Sequence, residues 1–242
     1  HKCLTLPTSN GKITAKQVDT LIQEHYSDAS SEHTVQPGIV YISFPTESGT
    51  LYSKQELTEL YTVCQNHNIP LFIDGARLGY GLVAKKNDVT FEDIANLCDV
   101  CYIGGTKVGA LFGECIVILN DLYKKDFRYA IKQHGGMLAK GRMLGIQFEE
   151  LFKDNRYLTI SKHAIDMADI LTEGFQSKGY HFYFPAETNQ LFPIFENAKL
   201  EELSKEFAFT PWAKIDETHT AVRFVTSFAT KRKNVEYLLT KI

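Results

Sequence analysis

At 242 residues, with 44% hydrophobic and 23% charged side chains, the chain is long enough to bury one generous core or two smaller ones. Its formal net charge of -3 leaves no basic excess to neutralise phosphates, which argues against a nucleic-acid partner. No run approaches the roughly 18 consecutive apolar residues of a membrane span, and the first residues lack the apolar core of a signal peptide, so a globular cytoplasmic protein without a membrane partner is expected.

The chain opens at His1-Lys2 without an initiator methionine, and its first strong apolar element is expected only at residue 39, which suggests a piece of a longer protein. Ile39 to Phe44 reads as a strand, and Ser53 to Asn66 as a helix that Ser53 caps with Glu56 in the capping-box position. Pro70 to Asp74 reads as the next strand, Phe91 to Leu97 as a helix, Val100 to Gly104 as a strand, and Glu114 to Leu119 as a hairpin-like return. Short β-branched runs alternating with helix-period stretches predict an α/β unit with a mostly parallel sheet. Beyond about residue 120 the helices lengthen, at Leu138 to Phe152 and Tyr157 to Ser177, the latter ended by Lys178-Gly179 as a glycine cap. Strands at Tyr180 to Phe184, Gln190 to Phe195 and Val222 to Thr226, with helices between and after, predict a second, smaller α/β domain. The expected division is 1–135 and 136–242, packed closely because no Pro- or Ser-rich linker separates them.

The five cysteines (Cys3, Cys64, Cys98, Cys101, Cys115) are odd in number and lie mostly in apolar surroundings, the usage of reduced thiols. Cys98-Asp99-Val100-Cys101 spells C-x-x-C, but without a second pair it is read as neither redox nor zinc chemistry. His134, His163, His181 and His219 show no metal-ligand spacing, so no metal site is expected.

Two residues invite chemistry. Asp74 ends an apolar strand, where a carboxylate is costly to desolvate unless it meets a cation or a strong donor. In extended chain Asp74 and Ala76 point to one side, offering a carboxylate and a methyl that suit the nitrogen and face of a flat heteroaromatic ring. A structural Asp74–Arg77 ion pair explains these residues equally well. Lys107, in Gly104-Gly105-Thr106-Lys107-Val108-Gly109-Ala110, follows the next strand, and open parallel sheets bind ligands at the carboxyl ends of their strands. A partly desolvated lysine there is a candidate amine nucleophile, and the alternative is a surface-turn lysine.

The runs Phe72-Ile73-Asp74-Gly75-Ala76-Arg77-Leu78-Gly79-Tyr80 and Asp99-Val100-Cys101-Tyr102-Ile103-Gly104-Gly105-Thr106-Lys107 closely resemble the threonine aldolase and β-eliminating lyase family. So do Pro45 to Tyr52, Gly135 to Arg142 and Val222 to Ser227. The resemblance implies a fold-type I, pyridoxal-phosphate-dependent, transferase-like large domain in three layers, followed by a smaller α/β domain. It implies that Lys107 carries pyridoxal 5'-phosphate as a Schiff base, Asp74 pairs with the ring nitrogen, Ala76 packs on the ring face and Thr106 contacts the cofactor. Arg77 and Arg223 match the positions that hold a substrate carboxylate, a task suited to the guanidinium fork.

The implied activity is retro-aldol cleavage of L-threonine and related β-hydroxy-α-amino acids by a homodimer or homotetramer. A β-eliminating lyase, an aminotransferase of the same fold, or a noncatalytic fragment are the alternatives. The family's glycine-threonine phosphate loop and ring-stacking histidine do not occur here, and Leu138 stands where many relatives have an arginine.

Overall fold

The computed structural model describes residues 2–242; His1, with which the first expected domain begins, lies outside the described residues. In chain order the elements are α1 (Ala15–Ser27), β1 (Val40–Ser43), α2 (Lys54–Asn66), β2 (Leu71–Gly75), α3 (Leu78–Leu82), α4 (Phe91–Asn96), β3 (Val100–Gly104) and β4 (Glu114–Ile118). Then follow α5 (Phe127–Gln133), α6 (Arg142–Phe152), α7 (Arg156–Ser177), β5 (Gln190–Leu191), β6 (Ile194–Glu196), α8 (Asn197–Leu203), β7 (Thr210–Lys214), β8 (His219–Val225) and α9 (Arg232–Lys241).

The first sheet has the order β1-β2-β3-β4, parallel except for β4. Its register sets Ile42 beside Ile73 and Ile73 beside Cys101, and Ser43 beside Asp74 and Asp74 beside Tyr102. Because strand side chains alternate, Val40, Ile42, Leu71, Ile73 and Cys101 share one face and are buried with Val18 and Ile22 of α1, Leu57 and Leu60 of α2, and Leu78 of α3. The other face carries Tyr41, Phe72, Asp74, Tyr102 and Ile116; Tyr41 is 54% and Ile116 46% exposed, so among the described residues no helical layer covers it.

The smaller sheet runs β5-β8-β6, with β7 added to β8, and all its pairings are antiparallel. The 22-residue α7 serves both cores: Tyr157, Ala164 and Ile165 enter the first, and Met167, Ala168, Leu171 and Phe175 the second. It ends as its glycine predicts, with Gly179 at φ +85 and Tyr180 N–H donating to the Phe175 carbonyl at 3.0 Å.

The expected strands of the first sheet and the capping box of α2 form within a residue or two of the expected bounds, Ser53 and Glu56 each bonding the other's backbone N–H. Elsewhere the structure departs from expectation. Structure begins well before residue 39, because α1 forms on a Thr14–Gln17 capping box although it buries only Val18 and Ile22. The helix expected from Leu138 starts at Arg142, and a separate α5 precedes it. The strand expected at 180–184 is reduced to a single bridge from Phe182 to Pro193. Pro193, which has no N–H to give a ladder, also splits the expected 190–195 strand into β5 and β6.

Candidate active site

Asp74 occupies the penultimate position of β2, half-buried on the uncovered face of the sheet. Its Oδ2 accepts a hydrogen bond from the Tyr41 hydroxyl on β1, and its Oδ1 accepts the Ala76 N–H at 2.9 Å. Tyr102, in register with Asp74 on β3, closes the other flank. Burial, and after it the bond and charge of Asp74, push both phenols well above the usual tyrosine range, so they stay protonated donors. The donors that Asp74 needs are therefore the Tyr41 phenol and a backbone amide. The alternative ion pair with Arg77 does not form: Arg77, 11% exposed, turns away and pairs through Nη1 with Glu47 Oε1 at 2.9 Å. Tyr41 and Tyr102 were not foreseen, because only the strand register puts them on the face of Asp74.

Lys107 follows β3 in a 3-10 turn, Thr106–Val108, closed by Gly109 at φ +109, a conformation that glycine adopts without strain. The turn is fixed on both sides of the lysine. Val108 is fully buried, its N–H and that of Ala110 both donate to the Gly105 carbonyl at 2.9 Å, and the Lys107 carbonyl accepts the Tyr80 hydroxyl. Burial pushes that phenol to about 12. The Lys107 side chain itself is exposed and has no ion pair or hydrogen bond among the described residues. This corrects the expected partial desolvation: the backbone is buried, but no described element packs over the amine. Thr106 is exposed as well, its Oγ1 3.4 Å from the Gly113 carbonyl oxygen to which it donates.

The loops bearing the two residues are tied together. A Cβ on Gly104 would overlap the backbone of Ala76, 2.6 Å from its carbonyl carbon, so only glycine lets the end of β3 lie against the turn after Asp74. The buried Tyr157 hydroxyl joins the same two segments, donating to the Gly104 carbonyl at 3.0 Å and accepting the Gly79 N–H at 3.2 Å.

Arg223 lies on β8, across from the segment Pro45 to Tyr52. Gln190 of β5 links them: its Nε2 donates to the carbonyls of Thr46 and Glu47 at 3.3 and 3.4 Å, and its Oε1 lies 3.5 Å from Arg223 Nη1. Thr188 Oγ1 donates to the Gly49 carbonyl at 2.9 Å and Glu187 accepts the Leu51 N–H at 3.0 Å, so residues 187–190 beside the second sheet are tied to the loop that follows β1. Glu47 and Gln190 thus bring Arg77 and Arg223 into one network. Arg223 Nε is buried without a partner among the described residues, an unsatisfied donor that an anionic ligand would relieve through rearrangement of the guanidinium. Glu47, Gln190 and Tyr157 carry no local sequence signal of their roles.

This donor set fits the ring and amine sides of pyridoxal phosphate. A carboxylate oriented by a phenol and an amide retains acceptor capacity for a ring nitrogen, Ala76 presents a methyl beside it, and a primary amine without partners follows the adjacent parallel strand.

Residues 1–198 match the β-eliminating lyase family. Over 206 residues, 84% of the chain, the sequence is 30% identical to a low specificity L-threonine aldolase of Pseudomonas sp., of which it covers 58%. The chain thus spans less than two thirds of the length of the curated relatives it matches. Its structure superposes on a threonine aldolase of Leishmania major with a TM-score of 0.94 and 42% identity, over 99% of this chain and 69% of that one. An aspartate aminotransferase of Thermus thermophilus, 16% identical with a TM-score of 0.63, shares the fold. The chain belongs to the β-eliminating lyase family and has the fold-type I architecture.

Proposed function

We propose that this chain is the larger part of a pyridoxal-phosphate-dependent carbon–carbon lyase that cleaves L-threonine and related β-hydroxy-α-amino acids to glycine and an aldehyde. The observation that carries this reading is the joint placement of Asp74 and Lys107 at the carboxyl ends of neighbouring parallel strands, tied through Gly104 and Tyr157. When bound, pyridoxal phosphate supplies an electron sink for the pair released as a bond at the substrate α-carbon breaks.

On this reading Lys107 holds the cofactor through its amine, Asp74 pairs with the ring nitrogen, Ala76 lies along the ring and Thr106 contacts the cofactor. Tyr41 and Tyr102 keep the Asp74 carboxylate aimed, and so keep its charge where the ring nitrogen needs it. Arg77 and Arg223 bind the substrate carboxylate, with Glu47 and Gln190 setting their orientation. In the net reaction the β-hydroxyl gives up its proton as it becomes a carbonyl, and the α-carbon gains one.

Residues 1–135 then form part of the cofactor-binding domain and 136–242 the linking helix and small domain, in a cytoplasmic homodimer or homotetramer. The test is acetaldehyde release from L-threonine by purified protein supplied with pyridoxal phosphate. Equimolar glycine and acetaldehyde, both lost in Lys107→Ala, are expected. Formation of a keto acid in place of the aldehyde would overturn the aldolase reading in favour of transamination.

A further inference from the structure

β7 pairs only with β8, and its register slips between Pro211 and Ala213, so Trp212 is the extra residue of a β-bulge. Bulges re-aim side chains, and this one brings the indole beneath Arg223, whose guanidinium carbon lies 5.6 Å from the ring centre. Two aromatic side chains hold the indole edge-on, Phe192 at 4.8 Å and Phe184 at 6.3 Å between centres. Arg223 has little else to fix it. No carboxylate pairs with it among the described residues, its bond to Gln190 is a long 3.5 Å, and its buried Nε has no partner. Trp212 is itself 39% exposed.

We propose that Trp212 is a positioning residue that holds the Arg223 guanidinium for a carboxylate ligand, and that its emission reports occupancy of that site. The proposal rests on the reading of Arg223 as the group that binds the substrate carboxylate. A planar cation lying along an indole keeps its edges free for a two-oxygen acceptor, whereas a carboxylate partner would occupy those edges. An aromatic platform thus orients the arginine without competing with its ligand. Trp212 is the single tryptophan of this chain, and the emission that disappears in Trp212→Phe isolates its signal.

Two measurements test this. In steady-state kinetics of the cofactor-loaded protein with L-threonine, Trp212→Leu should raise KM about threefold to tenfold with kcat within about twofold, the pattern of lost uniform binding. Trp212→Phe, which restores an aromatic face, should recover most of that loss. Unchanged KM in Trp212→Leu, or a phenylalanine variant no better than leucine, overturns the proposal.

The second measurement does not depend on catalysis. Titration of the cofactor-loaded protein with glycine should shift tryptophan emission in a saturable manner, while glycinamide, which lacks the carboxylate, and Arg223→Ala titrated with glycine should not. A response to glycinamide equal to that to glycine, or an undiminished response in Arg223→Ala, overturns the role of Trp212. If threonine is not cleaved, the aldolase reading fails and this titration alone decides the present one.

Discussion

Replacing Tyr157 with phenylalanine removes one oxygen atom and should cost about 2 kcal/mol, a magnitude set by what that oxygen satisfies. Gly79 is the second residue of α3, whose cap residue Arg77 gives no side-chain bond, so the Gly79 N–H has no intrahelical acceptor and relies on the Tyr157 hydroxyl at 3.2 Å. The site is buried: Gly79 is packed so tightly that a Cβ on it would lie 2.7 Å from the Tyr157 ring, and Tyr157 is 1% exposed. None of the described residues stands ready to replace the lost acceptor. A buried N–H left unmatched costs about 1–3 kcal/mol, and the Gly104 carbonyl loses its 3.0 Å donor at the same time. For a chain of this size about 2 kcal/mol corresponds to a fall of roughly 4–8 °C in Tm. Urea denaturation followed by far-ultraviolet circular dichroism measures the loss, and a midpoint shift without a change in slope would assign it to the folded state. A Tyr157→Phe variant within about 0.5 kcal/mol of the parent would refute the claim that this hydroxyl binds the Asp74 and Lys107 loops together.

Gly104→Ala should destabilise by roughly 1–3 kcal/mol in the same assay and weaken pyridoxal phosphate binding, because the added methyl displaces Ala76 from the end of β3; parental affinity would contradict this. Ser53→Ala should cost about 1 kcal/mol through loss of the α2 capping box, while Ser53→Asp, which keeps an acceptor, should stay near the parent. Asp93 gives a pH test. Hydrogen bonds from Lys54 and then Thr90 lower its carboxyl to about 2 from an ordinary 3.8, so its contribution is present above about pH 4 and lost as pH falls through 2. The urea-midpoint gap between the parent and Asp93→Asn should therefore close across that window, and a gap independent of pH would contradict the assignment.

The parts of the site that could be read in the sequence are those written in consecutive residues. Asp74 stood out because it ends an apolar strand, Lys107 because it follows one among glycines, and α2 announced itself by the spacing of Ser53 and Glu56. The groups that complete the site come from elsewhere in the chain. Tyr41 reaches Asp74 only through the register of β1 on β2, Tyr157 arrives from α7, and Glu47 and Gln190 lie about 30 residues from the arginines they meet. The exposed position of Lys107 was hidden for a related reason, since flanking glycines show that backbone packs closely but not what covers the side chain. β7 was missed because it is an edge strand with alternation broken by the Trp212 bulge and an opening Thr210-Pro211.

The central claim is that one amine, that of Lys107, holds the cofactor. Borohydride reduction of the protein loaded with pyridoxal phosphate, followed by peptide mapping by mass spectrometry, tests it directly. The account predicts stoichiometric phosphopyridoxyl label on Lys107, absent from Lys107→Ala. Label spread over other lysines, or retained in equal amount by Lys107→Ala, would contradict it.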